Sequence, residues 1–249
     1  MTKQNKSKYN FIPQDAIWSV LSNNDIFTLR KLMALTYMDN HACRMNSGGL
    51  EWLRATKESL FVHVFEPNSG LYGKPQLRLP GYKNKLVLKE IIQPDGPCDA
   101  YLVLEDPEDA DNPHFPIAYA AYPGNLREQL DKGINKFPFL VAGAALSIFK
   151  VKEQKMTLDN GLNVSIVSRF GKSQRLEYDD VYEYYTNILE VEEISYGQTP
   201  MTRLTIELCG NLKIYLYVSK IVKGNYKFKV GDYISGEMTF YAVKEYANG

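Results

Sequence analysis

The sequence predicts an α+β protein: N-terminal helices and an antiparallel sheet, followed by a small, strongly curved C-terminal β-barrel. Three observations carry this. Apolar residues recur at helical spacing near the N-terminus. From Leu60 onward the apolar runs are short, β-rich and separated by Gly/Pro turns. Five further strand candidates crowd between residues 184 and 246, one with a glycine inside it.

Residues 1–10 read as a polar, basic tail. Pro13 opens a first helix carrying Ile17, Val20 and Leu21. Asn23 and Asn24 break it and cap a second helix with the stripe Ile26, Leu29, Leu32, Met33 and Tyr37. A third, short helix follows Ser47-Gly48-Gly49 and carries Leu50 and Leu53. Strands are then expected at 60–65, 86–92, 101–104 and 117–122, with turns at Pro67–Gly70, Pro80-Gly81 and Pro94–Pro97. Asn125 and Glu128 have capping-box spacing for a helix over 126–135. The apolar run 139–149 reads equally as a buried helix or a strand.

After Lys150 the chain reads as mostly β. Asp159-Asn160-Gly161, between Met156 and Val164, is a hairpin signal. Strands follow at 184–194, 202–208, 212–218, 233–238 and 239–243, with Gly236 inside the fourth. The longest connection, 219–228, falls between the third and the fourth. This is the layout of a small five-stranded Greek-key barrel of the OB type, placed at about 182–246. The division is thus an α+β domain over 1–150 and a mostly β region over 151–249 that contains the barrel. No internal repeat is visible.

The 249 residues carry 29 bases and 29 acids, a balance that argues against a dedicated nucleic-acid binder. Cys43, Cys98 and Cys209 are odd in number and far apart, which points to a reducing, cytoplasmic setting rather than a disulfide framework. No apolar run approaches the length needed to span a bilayer, so no membrane partner is expected.

Charge is nonetheless patterned. Lys74, Arg78, Lys83, Lys85 and Lys89 form a block without acids. Glu90, Asp95, Asp99, Glu105, Asp106, Glu108, Asp109 and Asp111 follow without a base. Such blocks pair across neighbouring strands or steer a charged partner. The acidic stretch 105–111 lacks the central glycine of a calcium loop, and His41, His63 and His114 have no partners at metal-ligand spacing. Neither a metal nor a cofactor is expected. No phosphate loop, dinucleotide fingerprint or nucleophile elbow is present. An enzyme is therefore the weaker reading: a hydrolase-type acidic site would draw on Asp95, Asp99, Glu105 and His114.

Two binding readings remain. The first is a non-catalytic accessory protein with a protein partner, from the tyrosine-rich composition and the opposed charge blocks. The second is single-stranded nucleic-acid binding by the barrel, in which aromatics stack on bases and lysines meet phosphates. Lys213, Tyr215 and Tyr217 share one strand face, and Lys227 and Tyr233 extend the set. Against it, 182–249 holds seven bases and eight acids.

Overall fold

The structure is a computed structural model that describes residues 9–21, 43–47, 50–54, 61–67, 74–92, 99–107, 116–121, 126–196, 199–208 and 212–245. It is mostly β. Its centre is one mixed sheet of nine strands, and the described residues contain three short helices. This corrects the expected α+β arrangement of N-terminal helices plus a self-contained barrel.

The expected first helix forms, as α1 (Gln14–Leu21). The second, over 26–37, lies outside the described residues. The third does not form. Its place is taken by β1 (Cys43–Ser47) and β2 (Leu50–Arg54), paired so that Ser47 faces Leu50. Two leucines three apart are too few to set a helical period. β3 (Phe61–Pro67) and β4 (Lys74–Arg78) complete a separate four-stranded antiparallel sheet.

The large sheet starts with β5 (Tyr82–Ile92), β6 (Asp99–Glu105) and β7 (Ile117–Ala121), an antiparallel meander. The helix α2 (Leu126–Asp131) leads into β8 (Lys136–Val151). A two-stranded ribbon, β9 (Lys155–Thr157) and β10 (Asn163–Ser165), projects next. β11 (Ser168–Lys172) pairs with β12 (Val181–Tyr196). Then β13 (Thr199–Leu208) and β14 (Leu212–Ser219) form a second meander, and the single turn α3 (Lys220–Lys223) leads into β15 (Tyr233–Lys244). Ser219 caps α3, its hydroxyl accepting from Val222 N.

The pairings close two five-stranded rings. One runs β5–β6–β7–β15–β8 and back to β5. The other runs β12–β13–β14–β8–β15 and back to β12. Both include β8 and β15, which pair with each other antiparallel. A barrel confined to 182–246 therefore cannot close, because its fifth wall is β8. Residue 150, where the sequence suggested a division, lies inside that strand.

The two rings are built alike. Each is a three-stranded meander, a short helix and a fourth strand, and each borrows the other's fourth strand as its fifth. The registers agree in detail. Leu88 faces Leu104, with a shift before Glu90. Ile188 faces Ile206, with a shift before Glu190. Leu88 N donates to Asn135 O and Ile188 N to Asp232 O, at 2.7 and 2.9 Å. Tyr119 of β7 lies parallel to β15, and Tyr217 of β14 lies parallel to β8. The pseudo-two-fold axis passes the pair Gly143↔Phe240, which this operation maps onto itself.

Alternation on the shared strands sorts two cores. Phe139 and Val141 of β8, with Ile234, Met238 and Phe240 of β15, point into the rings and join Leu88, Leu102, Ile188, Leu204 and Ile206. Ala142 and Ala144 of β8 and Tyr241 of β15 point to the opposite face, where Ile12, Ile17 and Leu21 cover them. A register shift between Glu237 and Met238 leaves Leu146 as the extra residue of β8.

Two outcomes follow from this architecture. Expressed alone, residues 182–249 lack β8 and should show no cooperative thermal transition by circular dichroism; a sharp melt would show that the ring closes without it. A side chain at Gly236 would collide with the Ser147 carbonyl on the paired strand. Gly236→Val should therefore lower stability by about 3 kcal/mol, read by denaturant unfolding, and an unchanged midpoint would refute the close approach.

Candidate interaction site

Among the candidate residues, Lys213, Tyr215 and Tyr217 do share one face of β14, and the structure gives each a partner. Tyr217 is fully buried and its hydroxyl donates to Pro80 O at 2.8 Å. Tyr215 meets Tyr82 edge-on at 5.5 Å and lies beneath the Arg203 guanidinium at 4.4 Å. Arg203 is itself ion-paired with Glu192, and Lys213 Nζ lies 3.4 Å from Glu207 Oε2. Lys227 and Tyr233 sit elsewhere. Lys227 is exposed in the loop after α3, and its carbonyl accepts from Lys150 Nζ at 3.2 Å. Tyr233 stacks on Tyr185 at 5.5 Å.

Of the acidic candidates, Glu105 pairs with Lys89 at 2.9 Å, a direct link between the basic and acidic blocks across β5 and β6. Asp99 begins β6. Asp95 and His114 lie outside the described residues, as does His41. Among the described residues no three His, Cys, Asp or Glu side chains converge to hold a metal. No described helix is long and apolar enough to cross a membrane.

Two features emerge that sequence reasoning missed. The first is a tyrosine row on the outer face of the shared sheet. Tyr101, Tyr119 and Tyr241 are register neighbours on β6, β7 and β15. Their rings meet edge-on at 5.5 and 5.6 Å. Residues 9–21 lie across this row. Phe11 stacks on Tyr101 with ring centroids 3.7 Å apart, and Tyr9 stacks on Phe11 at 5.8 Å. Gln14 bridges two hydroxyls: it donates to Tyr101 at 3.4 Å and accepts from Tyr241 at 2.9 Å.

The same segment is latched to the turn before β12. Asn10 N donates to Asp179 Oδ2 and Asp179 N donates back to Asn10 O, both at 2.7 Å. Ile12 N donates to Asp180 Oδ1 at 2.9 Å. Burial pushes against ionisation of Asp179, but Lys172 and the Asn10 N–H hold its carboxyl below the usual range. Asp180 differs. It is fully buried, faces no cation, and burial pushes its carboxyl up to about 7 despite the Ile12 hydrogen bond. Its Oδ2 has no hydrogen-bond partner, and neither has Thr239 Oγ1; these are the unsatisfied buried side-chain atoms among the described residues. Thr239 is the register neighbour of Val181, the residue after Asp180.

The second feature is the β9–β10 ribbon. Met156 faces Val164, and Leu158 N donates to Leu162 O at 2.8 Å, so the four side chains lie on one face. They are 52%, 44%, 38% and 61% exposed, and Val167 beyond them is 57% exposed. The other face is polar: Thr157 Oγ1 donates to Asn163 Oδ1 at 2.7 Å, and Lys155 faces Ser165. Gly161 turns the ribbon with a φ of 80° that other residues resist. Its base is fixed by Ile166 N to Gln154 O at 2.8 Å and Gln154 N to Tyr185 Oη at 2.7 Å. Asn160-Gly161 announced the hairpin. The alternation of Met156, Leu158, Leu162 and Val164 was the signal for its apolar face.

No protein-family model, curated protein or solved structure matches the chain.

Asp180 sets a pH dependence with a definite sign. Its folded pKa, about 7, stands above the ordinary value of 3.8. The folded state therefore holds the proton more tightly than the unfolded chain. The stability this contributes is present at acidic pH and is lost as pH rises through about 7. Asp180→Asn removes the titration, so its melting temperature relative to the native protein should climb from about pH 5 to about pH 8. A difference that stays constant over that range would refute the assignment.

Proposed function

We propose that this chain is a non-catalytic interaction protein whose docking element is the β9–β10 ribbon, and that its partner is a protein. One observation carries the reading: a projecting ribbon that turns an apolar face to solvent. A two-stranded ribbon is marginal in water, and burying four partly exposed aliphatic side chains is favourable by several kcal/mol in total. Its two outer edges also pair with no other strand among the described residues. The occupant that fits both is an extended protein segment with apolar side chains at alternate positions, added along one edge and folded over the apolar face.

The charges favour a protein over a nucleic acid. Lys213 and Arg203 are each paired with a glutamate on the neighbouring strand, Glu207 and Glu192, and Lys223 of α3 is paired with Glu193 of β12. A phosphate would have to displace those carboxylates. The most perturbed carboxylate, Asp180, lies sealed beneath residues 9–21 rather than at the floor of an open cleft. This is a poor position for acid–base work on a substrate.

The test is affinity capture from the source cell with the native chain and with Met156→Ser/Leu162→Ser, each with and without nuclease. Both changed residues are exposed, so the melting temperature should stay within the spread of surface substitutions. The reading expects a stoichiometric protein that resists nuclease, is retained by the native chain and is lost by the variant. Equal capture by both would overturn the ribbon's role, and capture lost on nuclease treatment would overturn the protein partner.

A further inference from the structure

The face beneath residues 9–21 is built like a binding site that is already filled. It offers a row of three tyrosine rings, two hydroxyls that grip an amide, and a buried carboxylate that takes a backbone N–H. What fills it is an extended run, Tyr9 to Pro13, followed by two helical turns that bury Ile17 and Leu21. We propose that this face is an exchange site: it takes residues 9–21 from a second copy of the chain as well as from its own.

Three observations support exchange. First, the closed arrangement is not fully satisfied. Asp180 Oδ2 and Thr239 Oγ1 are both buried without a partner on or beside this face. Burying each group without a partner is unfavourable, and opening would relieve that by letting water reach it. That lowers the free energy of opening this segment relative to unfolding the rings. Second, the latch that starts the segment is at the surface. The Asn10 bonds to Asp179 and Glu177 are exposed, and only the Ile12 bond is buried. Third, the connection is long. Twenty-one residues, 22–42, separate α1 from β1 in sequence. A segment so tethered can dock on a neighbouring copy with the contacts it makes at home, which is the low-cost route to a swapped dimer.

The rate of opening carries a signature. Around Asp180 stand Asp179, held by Lys172, and the hydroxyls of Tyr182 and Tyr241. Only Lys172 is cationic, and it is committed to Asp179. Ionising Asp180 therefore adds a buried negative charge with no counter-ion, and lifting residues 9–21 exposes it to water. The segment should open faster as pH rises. The exchange equilibrium between one copy and another should stay nearly level, because the same carboxylate is covered in both.

The experiment uses the full chain and a synthetic fluorescein-labelled peptide of residues 9–21. Uptake of the peptide, followed by anisotropy, should be saturable and should speed up from about pH 6 to about pH 8. The same peptide carrying Phe11→Ala should bind at least about tenfold more weakly, since it loses the ring stacked on Tyr101. Two full-length preparations with different fluorophores, mixed at high concentration, should then develop energy transfer on the time scale of peptide uptake. No peptide uptake at any pH, with the Ile12 amide exchanging its hydrogen only as slowly as the amide of Val141 in the shared sheet, would show a permanent part of the core and overturn the proposal. Peptide uptake without energy transfer between full-length copies would overturn the second copy as occupant.

Discussion

The ladder between β8 and β15 holds the fold together. Each of these strands is a wall of both rings. Together they pair over twelve registered positions, from Tyr233↔Val151 to Lys244↔Phe139. The outer edges are equally committed: β8 binds β5 and β14, and β15 binds β12 and β7. Few residues on them can change freely. A position that fills one ring backs onto the face covered by α1 or onto the second ring. Hence small residues cluster there, with Ala142, Gly143, Ala144 and Ala145 on β8 and Gly236 on β15. Close approach of backbones replaces large side chains as the means of filling space.

That constraint explains what the sequence could and could not disclose. The strands of the two meanders were legible because apolar and polar residues alternate along them, as Leu204, Ile206 and Leu208 do with Thr205 and Glu207. β8 was ambiguous for the opposite reason. Buried on both faces from Val141 to Ala145, it has no polar alternation and reads as a featureless apolar run. The ring around β12 was legible in four of its walls, although β15 was read as two strands, 233–238 and 239–243. The fifth comes from earlier in the chain, and no local pattern announces a partner that distant. The internal repeat was hidden because most equivalent positions keep only their polarity or size class, as Leu88 and Ile188 or Leu104 and Ile206 do. At the pseudo-axis the pair is Gly143 with Phe240, as unlike as two residues can be. Symmetry of backbone pairing survives such divergence because ladders are made by main-chain groups.

The candidate surfaces divide in the same way. Lys213, Tyr215 and Tyr217 were rightly placed on one strand face. Whether that face is open depends on Arg203, from the preceding strand, and on Pro80, which is remote in sequence. The tyrosine row needs the parallel neighbours β7 and β15, which the sequence does not reveal. The ribbon is local throughout, and its apolar face could have been read from four residues at alternate positions around Asn160-Gly161.

The sharing of β15 also bears on how the chain comes to be made. It is the last described strand, and it closes both rings. During synthesis β5 to β8 emerge first, yet their ring stays open until β15 arrives. Through that interval β7 and β8 each present an unpaired apolar edge, the kind of surface that recruits other strands. Closure of the first ring is thus late rather than stepwise from the N-terminus: it waits until β15 has been made.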